Sequence, residues 1–219
     1  MLTENTVEEL LNIGIALSST LDLDKLLDQI LTEARRLTKA DAGTLYLADG
    51  HIIRAIVAQC DTLEKRLGKE KADSLFETFS IPIDNNSISG AAAFNKEVIN
   101  VANLDAPSNE DSHNRQFDIV NDYQTLSTIA VPMINRENRV IGVLQLINAI
   151  ENNEVIAFDG VRIKLAKALA SQAAIAIQNA QLTDNLQKAS LDTLQRLGLA
   201  AEWRDKETAN HITRVAQYS

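Results

Sequence analysis

One cysteine, three prolines, one tryptophan and 4% aromatic residues are the scarcities of this 219-residue chain. The lone Cys60 excludes an internal disulfide and a multi-cysteine zinc site, and three scattered histidines leave little for a metal cage. Scarce aromatics argue against reading nucleic acid bases by stacking. Positive charge is short as well. Twenty-one basic against thirty acidic residues give a net charge of −9, which opposes any nonspecific hold on phosphate backbones or anionic lipid. Nucleic acid is therefore not expected as a partner. No apolar run reaches the roughly 20 residues that a membrane span needs. Glu4, Glu8 and Glu9 stand where a signal peptide would carry positive charge. No membrane partner and a cytoplasmic location are expected.

Against these absences, 45% apolar and 23% charged residues describe a globular chain, one domain plus an appendage on a prior of about 150 residues per domain. Apolar residues from Val7 to Leu17 fall at helical spacing until Ser18-Ser19-Thr20 breaks the pattern. A second amphipathic helix begins near Asp22, with Leu23, Leu26, Leu27, Ile30 and Leu31 on one stripe. The period then changes. Residues 42–47 and 51–58, joined by a turn around Asp49-Gly50, read as a β-hairpin. Leu63 to Phe79 returns to helical periodicity, Pro82 confines residues 79–83 to a sheet edge or a strand end, residues 87–94 read as a short capped helix and residues 98–101 as a strand.

Residues 102–114, rich in Asn, Asp, Ser and Pro, read as a long loop or solvated lid before a short helix at 115–122. Residues 128–134 and 139–147, joined by Asn135-Arg136-Glu137-Asn138, are nearly all apolar and predict a central hairpin. From Asp159 to about Ala201 one very long helix is indicated, with no proline and with glycine only at 160 and 198. Past Gln181 its leucines have nothing left in the chain to bury against. A second copy pairing through Leu182, Leu186 and Leu194 is the natural cover, so a homodimer is expected.

This order of elements resembles a GAF domain, a relative of the PAS fold. The segments LDLDKLLDQIL at 21–31, SIPIDNNSISGAAAFNKEVINVANL at 80–104, LSTIAVPMINRENRVIGVLQLIN at 126–148 and ALASQAAIAIQNAQL at 168–182 carry the resemblance. It implies an α+β fold, a six-stranded antiparallel sheet flanked by helices, with a long C-terminal signalling helix and a small-molecule pocket roofed by the short helices and the lid. The expected division is a dimerisation helix at 1–20, the sensory domain at 21–180, a coiled-coil linker at 181–200 and the start of a further domain at 201–219.

That last stretch, LQRLGLAAEWRDKETANHITRVAQYS at 194–219, is similar to the opening of an HD-GYP domain, a metal-dependent cyclic di-GMP phosphodiesterase. Glu207 and His211 stand four apart, share a helical face and match the Glu-x-x-x-His that ligates metal in that family. Neither a His-Asp dipeptide nor Gly-Tyr-Pro follows, so the resemblance implies a truncated output domain, a di-iron or di-manganese centre only in the complete one, and no enzyme activity in this chain.

For the pocket, residues 87–91, with Ser87, Ser89 and Gly90, would offer backbone amides at a helix N-terminus. Asn103 and Asp105 would supply polar contacts from the lid, and Thr125 and Ser127 stand where the family has a Thr-x-Ser pair lining the pocket. Leu45, Ile81, Phe94 and Ile129 would form apolar walls, and each is equally explicable as core. The cyclic-nucleotide motif of some family members keeps Asn148 and Phe158 here, but Ala149 replaces its Lys and Arg162-Ile163 its Asp-Glu. Cyclic nucleotide is thus unsupported, and so is haem, for which His113 is the one loop histidine. The polar set from Asn103 to Asp118 lacks the spacing of an EF-hand calcium loop. Cys60 reads as a small buried hydrophobe rather than a bilin attachment site.

Two functions remain open. In one, a ligand with different affinities for two pocket conformations biases the paired helices and so the output domain. In the other, the chain is a structural dimerisation module whose pocket its own side chains fill.

Overall fold

The computed structural model describes residues 4–20, 22–76, 79–106 and 116–217, with side chains described up to 199 except those of 5, 116 and 198. The chain divides into two compact units, Met1–Asn179 and Ala180–Ser219. The first holds the sheet. Helices α1 (Glu4–Ser19) and α2 (Leu23–Thr38) precede strands β1 (Ala40–Asp49) and β2 (Ile52–Cys60), then α3 (Asp61–Leu67), α4 (Lys69–Ser74), β3 (Ser80–Pro82) and α5 (Ile88–Asn95). Strand β4 (Ile99–Val101), α6 (Gln116–Asn121), β5 (Thr128–Ile134), β6 (Val140–Glu151), β7 (Glu154–Ile156) and α7 (Gly160–Gln217) complete the chain. The second unit is the continuation of α7, on which Leu182, Leu186 and Leu194 are all more than half exposed.

The expected α+β architecture is present. Antiparallel strands run in the order β3-β2-β1-β6-β5-β4, and β7 pairs with β6 beyond the expected six. Asp22 caps α2, its carboxylate accepting from the Lys25 amide, while Lys39 closes the helix in the left-handed region. Two local features depart from the sequence reading. The helical stretch from Leu63 is broken at Gly68, whose φ of +81° no side chain tolerates easily, giving α3 and α4 instead of one helix. Strand β7 is new: Asn152-Asn153, at φ +52° and +65°, makes the tight turn that folds it back on β6.

Both faces of the sheet are covered. Opposed residues in an antiparallel ladder share a face and alternate residues swap faces. Leu45, Leu144 and Val131 make one row and Gly43, Leu146 and Ile129 the next. That face meets α2, for a Cβ on Gly43 would lie 2.8 Å from Leu31 Cδ1. Tyr46, Val143 and Pro132, then Thr44, Gln145 and Ala130, then Ala42, Ile147 and Thr128 make the rows of the other face.

Candidate functional site

The face carrying Tyr46 is covered by two apolar lobes. In one, Tyr46, Ile53, Val143 and Ala130 pack with Ile88, Ala92 and Ala93 of α5. In the other, Ala42, Cys60 and Ile147 pack with Leu63 of α3, Ala72 of α4, and Phe76, Phe117 and Tyr123. Between them the sheet is polar. Thr44, Gln145 and Thr128 are all buried and form a seam across β1, β6 and β5. Tyr46 Oη and Ser89 Oγ each donate to Gln145 Oε1 at 3.0 Å, and Gln145 Nε2 donates to Thr128 Oγ1 at 3.3 Å. Burial pushes the Tyr46 phenol up to about 12, so it remains a neutral donor.

Short residues let α5 sit this close. A Cβ on Gly90 would come within 2.5 Å of the Pro82 carbonyl, and Ser87 caps the helix by accepting from the Gly90 amide at 3.0 Å. Ser89, Gly90 and Ile81 therefore belong to this face, but Ser89 and Gly90 fix α5 to the sheet rather than standing open. Leu45 and Ile129 do not join them: the period of two puts both on the opposite face, where both are fully buried. Phe94 is 56% exposed.

Thr125 and Ser127 also have other duties. Thr125 donates its amide and hydroxyl to the buried carboxylate of Asp118 at 2.9 and 3.0 Å, and Ser127 Oγ donates to the Ile156 carbonyl of β7. Asn103 and Asp105 are exposed at the base of the loop, where Gln124 Nε2 donates to Asp105 at 3.0 Å and the Leu104 amide to the Leu126 carbonyl at 2.8 Å. His113 lies outside the described residues. Glu207 and His211 fall on α7, beyond the described side chains.

Asn148 does more than a turn residue needs to. At φ +54° its Oδ1 accepts from the Leu126 and Ser127 amides, while Nδ2 donates to the Gln124 carbonyl and to Tyr123 Oη. Arg162, at the aspartate position of the cyclic-nucleotide ion pair, makes a brace of opposite charge. Arg162 donates to the Thr38 carbonyl at 3.2 Å and to Asp159 at 2.9 Å, and faces Glu151 at 3.6 Å. The start of α7 is thereby tied to β6 by a cation on the helix instead of an anion. Cys60 is buried with its thiol pushed up to about 11, by burial first, which makes it an inert side chain. Among the described residues no cluster of His, Cys, Asp and Glu could hold a metal, and no helix is long and apolar enough to cross a membrane.

The GAF domain family profile matches residues 22–177. The chain belongs to the GAF domain family, a class of regulatory sensing domains. Among curated proteins it is 31% identical over 174 residues to a cGMP-specific 3′,5′-cyclic phosphodiesterase of Drosophila virilis, covering 75% of this chain and 18% of that protein. Such relatives are thus several times longer than the chain. Among solved structures, the GAF domain of an Acinetobacter phosphoenolpyruvate-protein phosphotransferase superposes with a TM-score of 0.61 at 19% identity, over 84% of this chain and 99% of that one. A GAF domain/HD domain protein from Geobacter sulfurreducens superposes with a TM-score of 0.54 at 16% identity, over 76% and 98%.

The seam residues Tyr46, Thr44, Gln145 and Thr128 carried no motif. A glutamine in the middle of the apolar run VIGVLQLIN, where a central strand is expected, was the one available signal: a polar side chain there must find partners.

Proposed function

We propose that this chain is the small-molecule-sensing part of a bacterial signalling protein, with its ligand held over the Thr44-Gln145-Thr128 seam. The observation that carries the reading is the seam itself, a hydrogen-bonding strip between two apolar lobes. Pockets for small molecules combine apolar walls with a few fixed polar groups in this way. Ligand binding would be transmitted by α7, paired with a second copy through Leu182, Leu186 and Leu194, to an HD-GYP output domain of which Glu207 and His211 are the first metal ligands. The Geobacter neighbour, a GAF domain/HD domain protein, supports an HD domain as the output. Cyclic GMP enters as a test ligand because of the phosphodiesterase relative.

A second reading has its own support. Tyr46, Ser89 and Gln145 satisfy one another and are buried, as in a structural module with a self-filled pocket. Thermal-shift measurements against cyclic GMP, cyclic AMP and a panel of small metabolites separate the two. The sensory reading expects at least one compound to raise the wild-type midpoint by about 2 °C or more at saturating concentration. The same compound should leave Thr44→Val unmoved. An equal rise in Thr44→Val would put the site elsewhere.

A further inference from the structure

Residues 116–127, comprising α6 and the segment that leads into β5, form a strap beside the seam, held by contacts to α3, β1 and β6. Phe117 stacks on Phe76 at 5.5 Å, and Arg66 of α3 donates to the Asn121 carbonyl and to the Asp122 carbonyl. A further anchor is Tyr123, whose Oη donates to Asp41 Oδ2 at 2.9 Å while accepting from Asn148 Nδ2 at 3.0 Å. Asp41 is 5% exposed, and its other carboxylate oxygen accepts from Thr62 Oγ1 at 2.8 Å.

The same residue faces a second element through its backbone. Arg35, in the last turn of α2, donates from Nη2 to the Asp41 carbonyl at 2.8 Å and pairs with Asp61. The next residue, Arg36, reaches Glu9 of α1 at 2.7 Å, while the Thr20 hydroxyl at the end of α1 donates to Gln29 of α2 at 3.3 Å. Hydrogen bonds and ion pairs, joined through the backbone of Asp41 and of Arg35-Arg36, therefore lead from the strap to α2 and on to α1.

We infer that Asp41 is a coupling residue: its carboxylate senses whether the strap is seated, and its carbonyl passes the position of β1 to α2 and α1. The inference rests on the sensory reading, since a strap that never moves has nothing to report. It gives the domain a second output, through its N-terminal helix. Energetic coupling of this kind is carried by packed and hydrogen-bonded networks whose elements respond together.

Amide hydrogen exchange on the whole chain without added ligand tests it, so its failure and the failure of ligand binding are separate results. Tyr123→Phe removes the hydroxyl and keeps the ring. Exchange should quicken about tenfold at residues 116–127 and about threefold in α1 from Glu9 to Ser19, as local opening free energies fall, while the buried amides of α7 between 165 and 177 keep their wild-type rates. Asp41→Asn, which replaces an acceptor with a donor at nearly constant volume, should give the same pattern. Quickening confined to the strap, no quickening at all, or quickening shared equally with α7 would overturn the coupling role.

Discussion

Gln145→Leu is expected to lower the unfolding midpoint by roughly 5–15 °C, the size that about 2–4 kcal/mol produces in a chain of 150–250 residues. The loss comes from the partners left behind. Tyr46 Oη and Ser89 Oγ both donate to the Gln145 amide oxygen, and with leucine there two buried hydroxyls lose their acceptor. Thr128 loses a donor but keeps its own bond to the Leu146 carbonyl, so it contributes less. An orphaned buried polar group costs about 1–3 kcal/mol, and the added apolar contact of leucine offsets part of the sum. Tyr46→Phe alone should cost less, about 1 kcal/mol, because it removes one donor and leaves the amide oxygen to Ser89. The double variant should cost less than the two single losses added, since the residues share one bond. Circular dichroism melts of the four proteins provide the cycle. Additive losses would mean that the seam is not a connected network.

Gly142→Ala is expected to be more damaging still. Gly142 lies on β6 between β1 and β5, opposite Leu47 and Met133. A Cβ there would overlap the Tyr46 carbonyl and come within 2.6 Å of the Met133 methyl. The methionine can swing away, but the carbonyl belongs to the β1 backbone and moves only with the strand. Overpacking that side chains alone relieve costs about 1–3 kcal/mol, and a backbone obstacle in the central ladder exceeds that range. Little soluble protein, or a melt more than about 10 °C below wild type, is the expected outcome. Wild-type yield and midpoint would show that β1 and β6 do not approach as closely as described.

The fold was legible because its elements announce themselves locally. The stripe from Leu23 to Leu31, the turn after Asp49 and the apolar hairpin around residues 135–138 each follow from spacing alone, and β1, β2, β5 and β6 lie where that spacing puts them. Single-residue backbone conformations were harder to see. Gly68 splits a helical run, and the two asparagines before Glu154 return the chain for β7, a signal visible as an Asn-Asn pair but easily read as loop. The site was less legible than the fold. Assigning Leu45 and Ile129 to the pocket needed the face of the sheet as well as the strand, and a shift by one residue reverses the answer. Thr125 and Ser127 look like pocket hydroxyls until their partners, Asp118 and the Ile156 carbonyl, are brought beside them by the fold. The brace at Arg162 is a similar case: the missing lysine and aspartate were plain, but not the replacement by the Thr38 carbonyl, Asp159 and Glu151.

Native mass spectrometry of the purified chain, sprayed gently and then with rising collision energy, tests the sensory account most directly, because oligomer mass and retained ligand are read together. The account predicts a dimer that sheds a discrete small molecule before its subunits separate, and the loss of that molecule in Thr44→Val with the dimer intact. A bare dimer would favour the self-filled structural module, and a bare monomer would contradict both the ligand site and transmission through paired helices.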